Sequence, residues 1–108
     1  MEKGNITRIS ADMEFSGEIN YHDILVVEGS VKGIIKSDGK VIITERGSVQ
    51  GDIYAKNLEI QGEVQGNIYE AGFVQLAPTC VLHGDIFSKE LQIERGARYY
   101  GSSTMITE

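Results

Sequence analysis

The side chains able to do chemistry in this 108-residue chain are few, and their spacing argues against catalysis. His22 and His83 are the natural candidates for a general base near neutral pH. His22 stands in Asn20-Tyr21-His22-Asp23, which reads as a corner. His83 precedes Gly84 in a position that other segments fill with Ser16, Lys32, Gln50, Gln65 and Tyr100. Such a set belongs on a solvated face, and neither histidine has an acid and a nucleophile at triad spacing. Cys80, the single cysteine, has no partner for an internal disulfide or a metal pair. It shares its position with Gly29, Gly47, Gly62 and Ala97, so a small buried residue is expected there rather than a reactive thiol. Asp52, Asn67 and Asp85 each follow a recurrent glycine and are expected to face water rather than bind a cation. No phosphate loop, calcium nonapeptide or zinc cluster is present in the sequence, which therefore implies no catalytic residue, metal or cofactor.

Charge and hydropathy narrow the class further. Ten Lys+Arg against 16 Asp+Glu give a formal net charge of −6, which repels phosphate backbones and anionic headgroups and excludes nucleic acid as a partner. No stretch reaches the roughly 18 apolar residues of a membrane span, and Met1-Glu2-Lys3-Gly4-Asn5 lacks the apolar core of a signal peptide. A cytoplasmic protein is expected.

The elements that would position these side chains follow from the glycines, 13 in all, about 12% against a usual ~7%. The pattern apolar-x-Gly-x-apolar recurs as Phe15-Ser16-Gly17-Glu18-Ile19, Val31-Lys32-Gly33-Ile34-Ile35, Val49-Gln50-Gly51-Asp52-Ile53, Val64-Gln65-Gly66-Asn67-Ile68 and Leu82-His83-Gly84-Asp85-Ile86, with a degenerate copy at Tyr99-Tyr100-Gly101-Ser102-Ser103. Two further columns repeat in step: Ile9, Leu25, Val41, Leu58, Val74 and Leu91, and two residues later Ala11, Val27, Ile43, Ile60, Leu76 and Ile93. Two rungs are two residues shorter than the others, which insert Glu45-Arg46, Ala77-Pro78 or Glu94-Arg95, a variation suited to a corner. Apolar positions alternate with period 2 and no helical period survives.

A strand with inward residues at i and i+2, a corner and a second short strand, repeated every ~17 residues, predicts an all-β, right-handed parallel β-helix (β-solenoid) of about six short rungs of 16–17 residues. Stacked at ~4.8 Å, the rungs would form a rod roughly 29 Å long. Residues 1–8 read as a short N-terminal tail and 9–108 as the β-helix domain. The left-handed acyltransferase helix needs an aliphatic residue every six positions, whereas Val49 to Ile53 and Val64 to Ile68 are four apart. Turns this short also leave no room for the long loops on which lyase-type helices build active sites.

These residues resemble the bactofilins, bacterial polymer-forming cytoskeletal proteins. The Val-x-Gly-[Asp/Asn]-Ile copies at 49–53 and 64–68, Val74-Gln75-Leu76-Ala77-Pro78-Thr79 and Phe15-Ser16-Gly17-Glu18-Ile19 carry the resemblance, which covers roughly residues 6–105. The resemblance implies a right-handed β-helix that assembles end to end into nucleotide-independent, non-polar filaments. It implies a cytoplasmic scaffold for cell-shape, cell-wall or polarity factors, often lying against the inner membrane. Its partners would be itself as a homopolymer, together with cell-wall enzymes or inner-membrane proteins. The short apolar-basic targeting peptide and the disordered tails of many members are not recognisable here, which leaves direct membrane binding open. The competing readings are a non-polymerising β-solenoid adaptor and a β-helical enzyme of the acyltransferase or lyase type.

Solenoid ends leave backbone groups and inward apolar side chains without a neighbour, and neither end shows an evident cap. Ile9, Met13 and Phe15 at one end, and Tyr99, Tyr100, Met105 and Ile106 at the other, are the expected polymerisation surfaces. Tyr54, Tyr69 and Phe87, flanked by Lys36 and Thr104, predict an exposed aromatic ladder along the side, either stacking across rungs or offering a lateral contact.

Overall fold

The computed structural model describes residues 6–106, in which twelve strands and their corners account for the chain and no helix occurs. The strands are β1 (Ile6–Ile9), β2 (Glu14–Tyr21), β3 (Ile24–Val27), β4 (Ser30–Ile43), β5 (Ser48–Gln50), β6 (Ile53–Ile60), β7 (Glu63–Gln65), β8 (Ile68–Leu76), β9 (Val81–His83), β10 (Ile86–Ile93), β11 (Arg98–Tyr100) and β12 (Ser103–Met105). All pair in parallel with the strand one turn away, so the chain is a parallel β-solenoid of about six turns. Its extents are 34 × 31 × 24 Å.

Each turn crosses three faces rather than the two strands expected. The first face stacks β1, β3 and residues 40–43, 57–60, 73–76 and 90–93. The second stacks residues 14–16 and 30–32 with β5, β7, β9 and β11. The third stacks the start of each following segment: 19–21, 35–37, 53–55, 68–71, 86–88 and 103–105. The apolar-x-Gly-x-apolar motif straddles the corner between the second and third faces. β2 and β4 run through that corner without a break in pairing, which is why its two halves read as one strand.

Alternation decides what is buried. Val31, Val49, Val64 and Leu82 fill the core behind the second face, and Ile35, Ile53, Ile68 and Ile86 behind the third, all fully covered. Four such side chains contribute about 6–12 kcal/mol per rung. That burial exists only where neighbouring rungs cover these side chains, so no rung stands alone and stacking is obligatory.

The columns hold as expected from the second rung onward: Leu25, Val41, Leu58, Val74 and Leu91 align, as do Val27, Ile43, Ile60, Leu76 and Ile93. The first rung is offset by two. Ile9 aligns with Val27 and Thr7 with Leu25, while Ala11 sits exposed in the turn Ser10-Ala11-Asp12-Met13, where the Met13 amide donates to the Ser10 carbonyl at 2.9 Å. The ladder also begins at Ile6 rather than residue 9, because β1 pairs with β3 along its whole length. Residues 1–5 of the expected tail, and Thr107 and Glu108 at the other boundary, lie outside the described residues.

The two extra residues of the longer rungs fall in turns: Gly47 N donates to Thr44 O at 2.8 Å, Cys80 N to Ala77 O at 2.9 Å and Ala97 N to Glu94 O at 3.1 Å. The motif glycines are required by conformation and space together. Gly51 has φ of 143°, and a Cβ there would lie 1.7 Å from the carbonyl oxygen of Gly33 one turn below.

Candidate polymerisation surfaces

Among the described residues the first and last rungs each have an uncovered side. In the last rung the inward positions are Leu91, Ile93, Ala97, Tyr99, Ser103 and Met105, by register with the buried columns of the rung below. Ile93 is 49% and Met105 55% exposed, although their counterparts Leu76 and Ser88 are covered. In the first rung Met13 is 50% exposed, and Phe15, Ile19 and Tyr21 are half-buried against the core. These are core-type side chains on which no further rung stacks among the described residues.

Of the residues singled out from sequence, Met13 and Phe15 at one end and Tyr99 and Met105 at the other occupy such end positions. Tyr99 is half-buried, its hydroxyl donates to the Ser102 carbonyl, and burial and the Asp85 charge push its pKa up. Ile9 is buried, at 6% exposed, because its register with Val27 places it under the first turn. Tyr100 has outward parity and stacks on His83 with ring centroids 4.7 Å apart, so its ring lies on the side of the rod rather than across its end. Ile106 follows β12, donates its amide to Ser88 O at 2.7 Å and lies beside Glu70, Ala71 and Lys89. Ile19, Tyr21, Leu91 and Ile93 belong to the same end surfaces and were not singled out. Their signal was in the sequence, since the terminal member of every inward column must lack a neighbour.

The aromatic ladder forms on the outward side of the third face. Tyr54 and Tyr69 stack at 5.2 Å, Tyr69 and Phe87 at 5.4 Å, and the Lys36 ammonium lies 5.6 Å from the Tyr54 ring centre. Mutual cover leaves the three rings half-buried rather than fully exposed. Lys36 also pairs with Glu18 at 3.5 Å.

Asp52, Asn67 and Asp85 do more than face water. Asn67 N donates to Asp52 Oδ1 at 3.1 Å, Asp85 N to Asn67 Oδ1 at 2.9 Å, and Ser102 N to Asp85 Oδ1 at 3.1 Å. Each side chain thus satisfies a corner amide one rung above it, where the sharp bend takes that amide out of the backbone ladder.

The chemistry-bearing residues do not converge. His22 faces Asp38 at 3.2 Å with both side chains exposed, and His83 is on another face. Cys80 is buried in the column that begins with Met13 and continues through Gly29, Gly47 and Gly62, and desolvation raises its pKa to about 11, which keeps the thiol protonated. Among the described residues no group of three or more His, Cys, Asp and Glu is placed to hold a metal ion. Among them, too, no helix is long and apolar enough to cross a membrane.

The family model for bactofilins, described as polymer-forming cytoskeletal, matches residues 7–104. The fold superposes on a bactofilin from Thermus thermophilus in a cryo-EM reconstruction of double helical filaments with a TM-score of 0.87 and 26% identity, covering 93% of this chain and 99% of that one. A crystal structure of a point mutant of Thermus thermophilus bactofilin gives a TM-score of 0.78 at 24% identity, covering 83% of this chain and 100% of that one. No curated protein matches the chain. With its three-faced solenoid, its uncovered end rungs and the family model spanning nearly its whole length, the chain belongs to the bactofilins, the family of polymer-forming, self-assembling cytoskeletal filament proteins.

Proposed function

We propose that the chain polymerises end to end through its first and last rungs, like end against like end, into filaments without polarity and without need of nucleotide. In this reading the polymer is a cytoplasmic, non-enzymatic scaffold that organises cell-wall enzymes or inner-membrane proteins at the inner face of the membrane. By analogy with the Thermus thermophilus filaments, two such filaments wind together. The observation that carries the reading is the exposure of inward-column residues Met13, Ile93 and Met105 at the two ends of a core that is otherwise closed. Joining two ends covers those side chains and pairs the open strand edges in one step. Two-fold contacts at both ends, used alternately, give a filament whose directions are equivalent.

Electron microscopy and sedimentation velocity in nucleotide-free buffer test this. The wild-type protein is expected to form filaments, and Met105→Arg or Tyr99→Arg to give a folded species that sediments as a monomer or dimer. Unchanged polymerisation of both variants would remove the C-terminal rung as an interface.

A further inference from the structure

The charges on the two end rungs differ. Met13, the inward side chain that begins the corner column, stands between Asp12 and Glu14 in the chain. Both carboxylates are exposed, and neither enters an ion pair among the described residues. The other charges of residues 6–21 are engaged within their own copy, Arg8 with Glu28 at 3.3 Å and Glu18 with Lys36 at 3.5 Å. Among the described residues the uncommitted charge on this end is therefore all negative.

The last rung is balanced. Ala97 ends the same corner column, flanked in the chain by Arg95 and Arg98, which are exposed and form no ion pair among the described residues. Glu90 is exposed on the same rung, and Glu94 accepts a hydrogen bond from the Gln75 side-chain amide. Two guanidinium groups and two carboxylates leave the described part of this end without net charge.

We propose that the two like-end joints respond differently to salt: repulsion among Asp12 and Glu14 opposes the joint between first rungs until ions screen it, whereas the joint between last rungs closes at any ionic strength. This rests on the end-to-end reading above and adds a control to it. Any two-fold axis that joins two first rungs brings Asp12 and Glu14 of both copies to one interface, four carboxylates with no free cation among the described residues. In about 10 mM salt the screening length is ~30 Å, longer than the 24 Å short extent of the molecule, so each carboxylate acts on those of the other copy. In about 500 mM salt it falls to ~4 Å and the repulsion is lost. Four like-charge pairs across the joint at ~10 Å in water weaken association about tenfold when unscreened. The first-rung joint thus sets how far pairs made through the last rungs extend into filaments.

Sedimentation velocity on two full-chain variants isolates the joints, with circular dichroism to verify that each is folded. Met105→Arg leaves only the first-rung joint, and Met13→Arg only the last-rung joint. Between about 10 and 500 mM NaCl the dimer dissociation constant of Met105→Arg should fall about tenfold, while that of Met13→Arg stays the same. Adding Asp12→Asn and Glu14→Gln to Met105→Arg should give the tighter constant at both salt concentrations, which a general salting-out effect would not do. Three results overturn the proposal and leave end-to-end assembly standing: Met105→Arg associating equally or not at all at the two salt concentrations, the neutralised variant keeping the salt dependence, or Met13→Arg sharing it. If the two variants are each monomeric throughout but associate when mixed, unlike ends meet, and the like-end reading falls with the proposal. Variants that associate neither alone nor mixed, with a wild type that forms no filaments, remove both.

Discussion

Gly51→Ala adds one methyl group, and the structure says where it goes: 1.7 Å from the Gly33 carbonyl oxygen and 2.7 Å from its carbon. No side-chain rotation relieves this, because both atoms are backbone. The two rungs must move apart by more than an ångström at the corner, weakening the hydrogen bond that joins them there, Ile35 N to Asp52 O at 3.0 Å. Alanine at φ of 143° costs about 1–3 kcal/mol by itself. Losing that corner hydrogen bond adds about 1 kcal/mol, so the change should cost about 2–4 kcal/mol. Against a stability of about 5–15 kcal/mol that is a large loss.

Two controls separate the causes. Gly17 has a similar φ of 130°, but a Cβ there meets only the Phe15 ring at 3.7 Å, so Gly17→Ala should show the conformational cost alone, about 1–3 kcal/mol. Gly72 has no positive φ and its site lies 3.0 Å from the Lys56 carbonyl oxygen, so Gly72→Ala should cost about 1 kcal/mol or less. The assay is urea unfolding followed by far-UV circular dichroism, in a Met105→Arg background expected to block assembly. Gly51→Ala and Gly17→Ala unfolding at the same urea concentration would refute the close-stacking argument.

Three further outcomes are expected. Ser88 Oγ is buried without a hydrogen-bond partner, and Ala71 stands beside it in register, so Ser88→Ala should be neutral or stabilise by about 1 kcal/mol in the same unfolding assay. Cys80 should resist thiol reagents in the folded protein and react rapidly in urea. Its folded-state pKa is raised from 9.0 to about 11, so its contribution to stability is complete below pH 9 and lost as pH rises toward 11, measurable as a falling urea midpoint. Tyr69→Ala breaks two ring stacks and should cost about 1–3 kcal/mol without changing polymerisation, read by unfolding and by sedimentation.

Much of the molecule was legible because stacking forces sequence columns to be spatial columns. Val31, Val49, Val64 and Leu82 could be placed against one another without coordinates. The first rung was misplaced because Ala11 is apolar and continues the spacing, whereas the Ser10–Met13 turn consumes two residues and hands its place in the column to Ile9. The Asp52-Asn67-Asp85 ladder was missed because alternation assigns those side chains to solvent, while the corner bend lets each oxygen reach an amide one rung away. Tyr100 was grouped with Tyr99 by adjacency, yet neighbours on a strand face opposite ways. The end surfaces could be inferred as the last members of inward columns, but the burial of Ile9 depends on packing that spacing does not encode.

The measurement that bears most directly on end-to-end assembly is the axial repeat of the filaments by cryo-EM. If rods join end to end with rungs stacked along the filament, the density should show strands at ~4.8 Å, a subunit length of about 29 Å and, with like ends meeting, a two-subunit repeat near 58 Å. Solenoids lying across the filament axis, with strand spacing unrelated to that axis, would contradict the account.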